Sequence, residues 1–282
     1  MIKLFASDLD GTLYNALHET DAAILRRLRR VLAAGRHVAL ATGRWARSAA
    51  ELGFGDLPLE LVCGNGAFVY DAGGELLRDV PIEPGVLEEL LGSFPGVCFN
   101  CIAPDGVFVR GSRAAYAAGF VPPRGIAGRA IARRRRRHAS VGAERFDQTD
   151  ADVLAHRICK VNGRVSDPRL HAAVEAFLAD HADALVNASF DGHLFEITAA
   201  GVNKGEAVAW LAGQLGFAED EVAVYGDGGN DLAMLERFAH AYAPRGASEA
   251  ARRAAGAVIG SCAWHAVPRH MARTVRREGP LG

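Results

Sequence analysis

Ile2-Lys3-Leu4-Phe5-Ala6-Ser7-Asp8-Leu9-Asp10-Gly11-Thr12 decides how this chain reads. An apolar run ends in two aspartates, a glycine and a threonine, the pattern of a buried strand giving way to a polar loop. The same figure recurs twice. Val38–Ala41 runs into Thr42-Gly43-Arg44, and Val222–Tyr225 runs into Gly226-Asp227-Gly228-Gly229-Asn230-Asp231. Open parallel sheets bind their ligands beyond the carboxyl ends of the strands. An acidic pair, a hydroxyl beside an arginine and an acidic cluster at three such ends suit a magnesium and phosphate site.

Working outward, residues 2–7 read as a strand and Asp21–Ala34 as a helix with Ile24, Leu25, Leu28, Val31 and Leu32 on one face. Gly35 stands where a left-handed helix stop is needed. His37–Ala41 and Leu59–Cys63 supply two more strands, and the alternation calls for a parallel sheet with crossover helices. Val69–Tyr70 and Leu76–Leu77, around Asp71-Ala-Gly-Gly74, read as a hairpin. The alternation resumes late, with helix Lys204–Leu215, strand 222–225, helix 231–238, a short strand near 240–243 and helix 247–255. These late elements need the N-terminal strands beside them, so the expectation is one discontinuous α/β domain, 1–82 with 199–282.

The intervening residues 83–198 carry their own α/β pattern. A helix is expected over Val86–Leu91, strands over Val97–Ile102, Val107–Val109 and Ile158–Val161, and a helix over Pro168–Ala179. Leu185–Phe190 and Leu194–Ile197 read as a hairpin joined at Asp191-Gly192. Residues 111–145 receive little structure.

With 282 residues, 50% of them hydrophobic and 23% charged, the chain has material for one large domain or two modest ones. Acid appears by residue 8, too early for a signal peptide's apolar region, and no apolar stretch is long enough to span a bilayer; the expected location is the cytoplasm. Cys98-Phe-Asn-Cys101 has metal-like spacing, but no second pair follows, and buried thiols are the expectation for the five cysteines. The net charge of −1 gives no general reason to expect nucleic acid.

The ordered motifs resemble the haloacid dehalogenase superfamily of phosphatases and, within it, the sugar-phosphatase-like Cof group with its large α/β cap of type IIB. The residues that carry the resemblance are Asp8-Leu9-Asp10-Gly11-Thr12-Leu13, Thr42 in Thr-Gly-Arg, Lys204 in Asn203-Lys204-Gly205, Gly226–Asp231, and Gly64-Asn65-Gly66-Ala67. Two stretches depart from the group's pattern, Ala243-Pro-Arg-Gly-Ala247 and Cys262-Ala-Trp-His-Ala-Val267. The resemblance implies a Rossmann-like parallel-sheet core with 83–198 inserted as a specificity cap. It also implies a Mg²⁺-dependent phosphatase acting on small phosphomonoesters through an aspartyl-phosphate.

In that reading Asp8 attacks phosphorus, while Asp10 protonates the leaving oxygen and then activates water. Asp8 and Asp227 supply side-chain oxygens to the metal and Asp10 its main-chain carbonyl; Asn230 and Asp231 act through water or orient the ligands. Asp231 can equally be the N-cap of the helix beginning there. Thr42 and the turn at Gly43 suit phosphoryl oxygens, and Asn230 belongs with the phosphate-binding set. A first-turn lysine opposes the helix dipole, so Lys204 reads as functional, neutralising developing charge and holding Asp8 anionic. Arg44 either touches substrate or pairs with an acidic residue at a hinge. Asn65 either binds near the phosphate or shapes a turn.

From Arg110 to Arg145 ten arginines face one acid, Glu144. The run Arg133–Arg137 reads as a solvated surface, as a contact for a further anionic group of the substrate, or as a polyanion contact. Partners are expected to be small phosphorylated molecules, with neither membrane nor nucleic acid. A phosphomutase of the same superfamily and a non-catalytic phosphometabolite-binding module are the competing readings.

Overall fold

The structure, a computed structural model, describes residues 1–119, 144–189 and 192–281. It divides into two compact units, Met1–Arg78 with Asn203–Gly282, and Asp79–Val202. Strands and helices are numbered in chain order.

The first unit is built on one sheet. β1 (Leu4–Ser7), β2 (His37–Ala41), β3 (Glu60–Cys63), β4 (Phe68–Tyr70) and β5 (Leu76–Asp79) run outward on one side of β1. β12 (Val222–Tyr225), β13 (His240–Pro244) and β14 (Ala257–Ile259) continue the sheet on its other side. From β14 to β3 every pairing is parallel, and β4 turns back antiparallel to β3. Every residue of β1 is buried, as expected of a strand covered on both faces and therefore apolar without alternation. Because the chain leaves β1 toward β2 and returns beside it as β12, the β1–β12 edge is the point where strand order reverses.

Helix α1 (Ala22–Ala33) begins where the Asp21 carboxylate accepts the N–H groups of Ala23 and Ile24. It stops before Gly35, whose φ of +80° is left-handed. The later helices of this unit are α6 (Lys204–Gln214), α7 (Leu232–Arg237), α8 (Glu249–Ala254) and α9 (Ala266–Glu278). Ala207, Val208 and Leu211 of α6 pack with Met234, Leu235 and the strands into one apolar cluster. Gly205 permits that contact, since a Cβ there would stand 2.6 Å from the Ala233 carbonyl oxygen. Fully buried Arg36 binds both chain ends, donating from Nη1 to the Ile2 carbonyl and from Nη2 to that of Gly279.

The second unit carries a six-stranded sheet in the order β10-β11-β9-β6-β7-β8. Its strands are β6 (Phe99–Ala103), β7 (Gly106–Arg110), β8 (Glu144–Arg145), β9 (Lys160–Arg164), β10 (Leu185–Asn187) and β11 (Leu194–Ala199). They pair antiparallel except for β7 with β8. Its helices are α2 (Pro84–Ser93), α3 (Arg113–Ala118), α4 (Asp150–Leu154) and α5 (Pro168–Asp180). Leu87, Leu90 and Leu91 of α2 and Val174 of α5 close over Phe99, Cys101, Phe108, Val161 and Phe195.

Several elements differ from the sequence reading. The stretch 231–238 divides into a tight turn, Gly229–Asp231, and α7. α3 and β8 lie in the stretch expected to hold little structure, and α4, β14 and α9 are additional. Arg133–Arg137 and the Asp191 turn position lie outside the described residues. Cys101 is buried in the apolar core, which pushes its thiol up to about 12, while Cys98 stands beside Gly111 ahead of the strand. Among the described residues no helix is long and apolar enough to cross a membrane.

Candidate functional site

The candidate residues gather at the carboxyl ends of β12, β1, β2 and β3. Asp8 follows β1, and its N–H donates to the Tyr225 carbonyl (2.9 Å), carrying the β1–β12 pairing one residue into the loop. The chain then winds through Leu9–Leu13, with Gly11 at φ +82°. Gly11 is required on two grounds, because its φ is left-handed and a Cβ would stand 2.4 Å from Asp227 Oδ2. That close approach delivers the Thr12 hydroxyl, which donates to Asp227 Oδ1 at 2.7 Å.

Lys204 opens α6 and is fully buried. Its Nζ donates to Asp8 Oδ1 and to Asp231 Oδ1, both at 2.7 Å. Asp231 uses its second oxygen to accept the N–H groups of Asp227 and Gly228, both at 2.9 Å. It makes no side-chain capping bond to α7. The cap alternative is thus replaced by a tether that shapes the acidic turn and holds the lysine. Oxygens of Asp8, Asp227 and Asp231 lie within 4.8 Å of one another.

Burial pushes the Asp8 carboxyl well up; the Lys204 ammonium opposes this, and Asp231 and Asp227 add to it. Burial also raises Asp227, against the Thr12 hydrogen bond that lowers it. Burial alone would lower Lys204, but Asp231 and Asp8 outweigh it and keep the ammonium charged. One buried cation therefore faces three crowded carboxylates. The donor set is all hard oxygen and short of positive charge, which fits a small divalent cation.

A second knot joins the turns after β2 and β3. The Thr42 hydroxyl accepts the Arg44 N–H (3.1 Å), and the Thr42 carbonyl accepts the Asn65 N–H (3.0 Å). Asn65 is left-handed at φ 62° and almost wholly buried. Its Oδ1 accepts Asn230 Nδ2 at 3.0 Å, linking this knot to the acidic turn. Gly43 lies so close that a Cβ there would stand 2.9 Å from Asn65 Oδ1. Asn65 thus shapes its turn while its buried amide nitrogen has no hydrogen-bond partner among the described residues.

Of the two sequence alternatives for Arg44, the structure shows the pairing with an acidic residue, and that acid is Asp10. Its Nε donates to Asp10 Oδ2 (2.9 Å) and its Nη2 to Asp10 Oδ1 (2.8 Å), a bidentate grip on the second aspartate of the opening motif. The guanidinium lies over the Tyr14 ring, 5.3 Å from its centroid. His18 also reaches Asp10. Thr12 and His18 are the residues that reading the sequence missed. Thr12 stood inside the opening motif, whereas His18 carried no signal beyond its nearness to the turn-forming Asn15.

The comparisons agree with this architecture. A family model described as haloacid dehalogenase-like hydrolase matches residues 5–271. A putative phosphatase of Buchnera aphidicola subsp. Baizongia pistaciae is 24% identical over 238 residues, 84% of each chain. The HMP-PP phosphatase of Klebsiella pneumoniae is 28% identical over 240 residues, 83% of this chain and 81% of its own. A haloacid dehalogenase-like hydrolase from B. subtilis has the same fold, with a TM-score of 0.81 at 22% identity over 96% of this chain and 99% of that one. A subclass IIB sugar phosphatase shares it too, at 0.72 and 17% identity over 96% and 98%. With its motifs set at the ends of four neighbouring strands, the chain belongs to the haloacid dehalogenase-like hydrolase family.

Proposed function

We propose that this protein is a Mg²⁺-dependent phosphatase that hydrolyses small phosphomonoesters, sugar phosphates or related metabolites, through a phosphorylated Asp8. The observation that supports it most is the buried Lys204 bridging Asp8 and Asp231 beside Asp227. Relatives carrying phosphatase names favour the same reaction.

Asp8 and Asp227 would hold the metal with the Asp10 main-chain carbonyl, and the bound ion would neutralise charge on the phosphoryl oxygens. Asn230 and Asp231 would orient this set. Asp8 is the nucleophile: its carboxylate oxygen bonds to phosphorus as the bond to the leaving oxygen breaks, and Asp10 gives that oxygen a proton. Water then attacks phosphorus, Asp10 takes the water's proton, and Asp8 is released with inorganic phosphate. A carboxylate is a weak nucleophile, so positioning and charge neutralisation carry the acceleration. Lys204 keeps Asp8 anionic and meets charge developing on the transferred group. Thr42, with the N–H groups of its turn, binds phosphoryl oxygens, and Asn65 closes that turn. Arg44 acts through Asp10.

We assign substrate selection to the second unit. Support comes from a cleft there lined by Asn100, Tyr116, Asn162 and Arg164. The buried Oδ1 atoms of Asn100 and Asn162 have no donor among the described residues, and they stand on directly opposed positions of β6 and β9. Acceptors so placed favour a hydroxyl-bearing leaving group.

The test is phosphate release from a panel of phosphorylated metabolites, with and without Mg²⁺, beside an Asp8→Asn control. Release that needs Mg²⁺ and is abolished in the control is expected. Isomerised phosphosugar without free phosphate would indicate the mutase, and an unchanged panel would overturn catalysis.

A further inference from the structure

The Asp10 carboxylate is held from two directions. Arg44 grips both oxygens, and His18 adds a third contact, with Nδ1 3.0 Å from Oδ1. Oδ1 already accepts from Arg44 Nη2, so the His18 Nδ1 that faces it is a donor, and a proton on Asp10 belongs on Oδ2. His18 arrives there through an unusual turn. Its φ is +57°, a left-handed value uncommon for a residue of its size.

The turn is built around Asn15. The Asn15 Oδ1 accepts from Leu17 N–H (2.9 Å) and Glu19 N–H (3.3 Å), and its carbonyl accepts from His18 N–H (2.9 Å). The Asn15 N–H donates to the Glu19 carbonyl (3.0 Å), closing the loop. The Asn15 amide nitrogen donates to Asp21 Oδ2 (3.1 Å), which ties the loop to the start of α1. A left-handed residue that its surroundings hold so firmly points toward function.

The carboxylate's acceptor sites show what the contact does. Each carboxylate oxygen offers about two acceptor positions. On Oδ1 they are filled by Arg44 Nη2 and His18 Nδ1, while Oδ2 takes Arg44 Nε and keeps one position open among the described contacts. We propose that His18 is a positioning residue for Asp10: it closes Oδ1, so that Oδ2 alone gives the proton to the leaving oxygen and takes it back from water. This inference rests on the reading of Asp10 as the acid and base of the reaction. Without His18 an acceptor position opens on Oδ1 as well, so either oxygen can meet the leaving group and the productive geometry is diluted.

Two variants separate this from a merely structural role. His18→Gly removes the donor and keeps the left-handed turn without strain. His18→Asn tolerates the same backbone and places an amide nitrogen where Nδ1 stands. The readout is the single-turnover rate of phosphoryl transfer from two substrates. An alkyl phosphate needs its leaving oxygen protonated, whereas p-nitrophenyl phosphate scarcely does. His18→Gly should slow the alkyl substrate by on the order of tenfold, part of what general acid catalysis contributes. It should slow the aryl substrate far less and leave KM unchanged, and His18→Asn should recover most of the loss.

Equal slowing of both substrates, no slowing, or a change confined to KM would overturn the assignment. Asp10→Asn is the companion control. If it slows the alkyl substrate while His18→Gly does not, only the His18 inference fails. If Asp10→Asn slows neither, or the wild type releases no phosphate, the proposed reaction fails and the inference with it.

Discussion

Lys204 is the residue on which the charge arrangement turns. It is fully buried between Asp8 and Asp231, and removing one partner of a buried ion pair typically costs about 3–5 kcal/mol because the remaining charges are uncompensated. Lys204→Met should therefore lose stability of that order in urea unfolding without divalent cation, and Mg²⁺ should restore more stability to the variant than it adds to the wild type. The placement of Lys204 was legible from the sequence because a first-turn lysine is electrostatically out of place on a helix. The partner of Arg44 was not, since the acid it grips lies 34 positions away and either oxygen-rich alternative satisfied the residue type. His18 was illegible for a related reason, as only the closed Asn15 turn turns its ring toward Asp10.

Among elements, α9 shows where periodicity falls short. Ala266, Val267, Pro268, Met271 and Thr274 line its buried face, and Arg269, Arg273, Arg276 and Arg277 lie off it. Its two faces are parted as cleanly as those of α1, but so few apolar residues, a proline among them, make no run that stands out in the sequence, whereas the strand-end motifs, each preceded by an apolar run, were plain. The packing of α9 carries a pH dependence. The Tyr225 hydroxyl and His270 Nδ1 share a hydrogen bond of 2.9 Å. Burial, with Arg273 and Arg277 nearby, pushes His270 down from 6.5 to about 4. A histidine that folds with a lowered pKa stabilises the native state above its unfolded value, and that contribution is lost as protons bind the unfolded chain first. Stability should accordingly decline between pH 6.5 and about 4. His270→Gln should flatten that part of the curve in denaturant titrations at successive pH values, even if it lowers stability throughout.

At the scale of the whole molecule, the return of the strand-helix alternation after residue 199 gave the expectation of a discontinuous domain 1–82 with 199–282, and the compact units of the structure divide at Arg78 and Asn203. The order of strands about β1 was not legible, because pairing partners leave no local trace in an apolar run. The second unit has its own apolar cluster and completes its sheet by Ala199. A fragment Asp79–Val202 should unfold cooperatively by circular dichroism, whereas Met1–Arg78 alone should not, since β1 would lack β12. The pairing of Leu4 with Val222 has a consequence for synthesis. On the ribosome β1 emerges well before β12, and that edge of β1 waits through more than two hundred residues of translation for its neighbour. During that interval a bare, largely apolar strand is exposed, and such edges recruit other chains. The nascent protein is thus most prone to aggregate, and most in need of a chaperone, just before β12 is made.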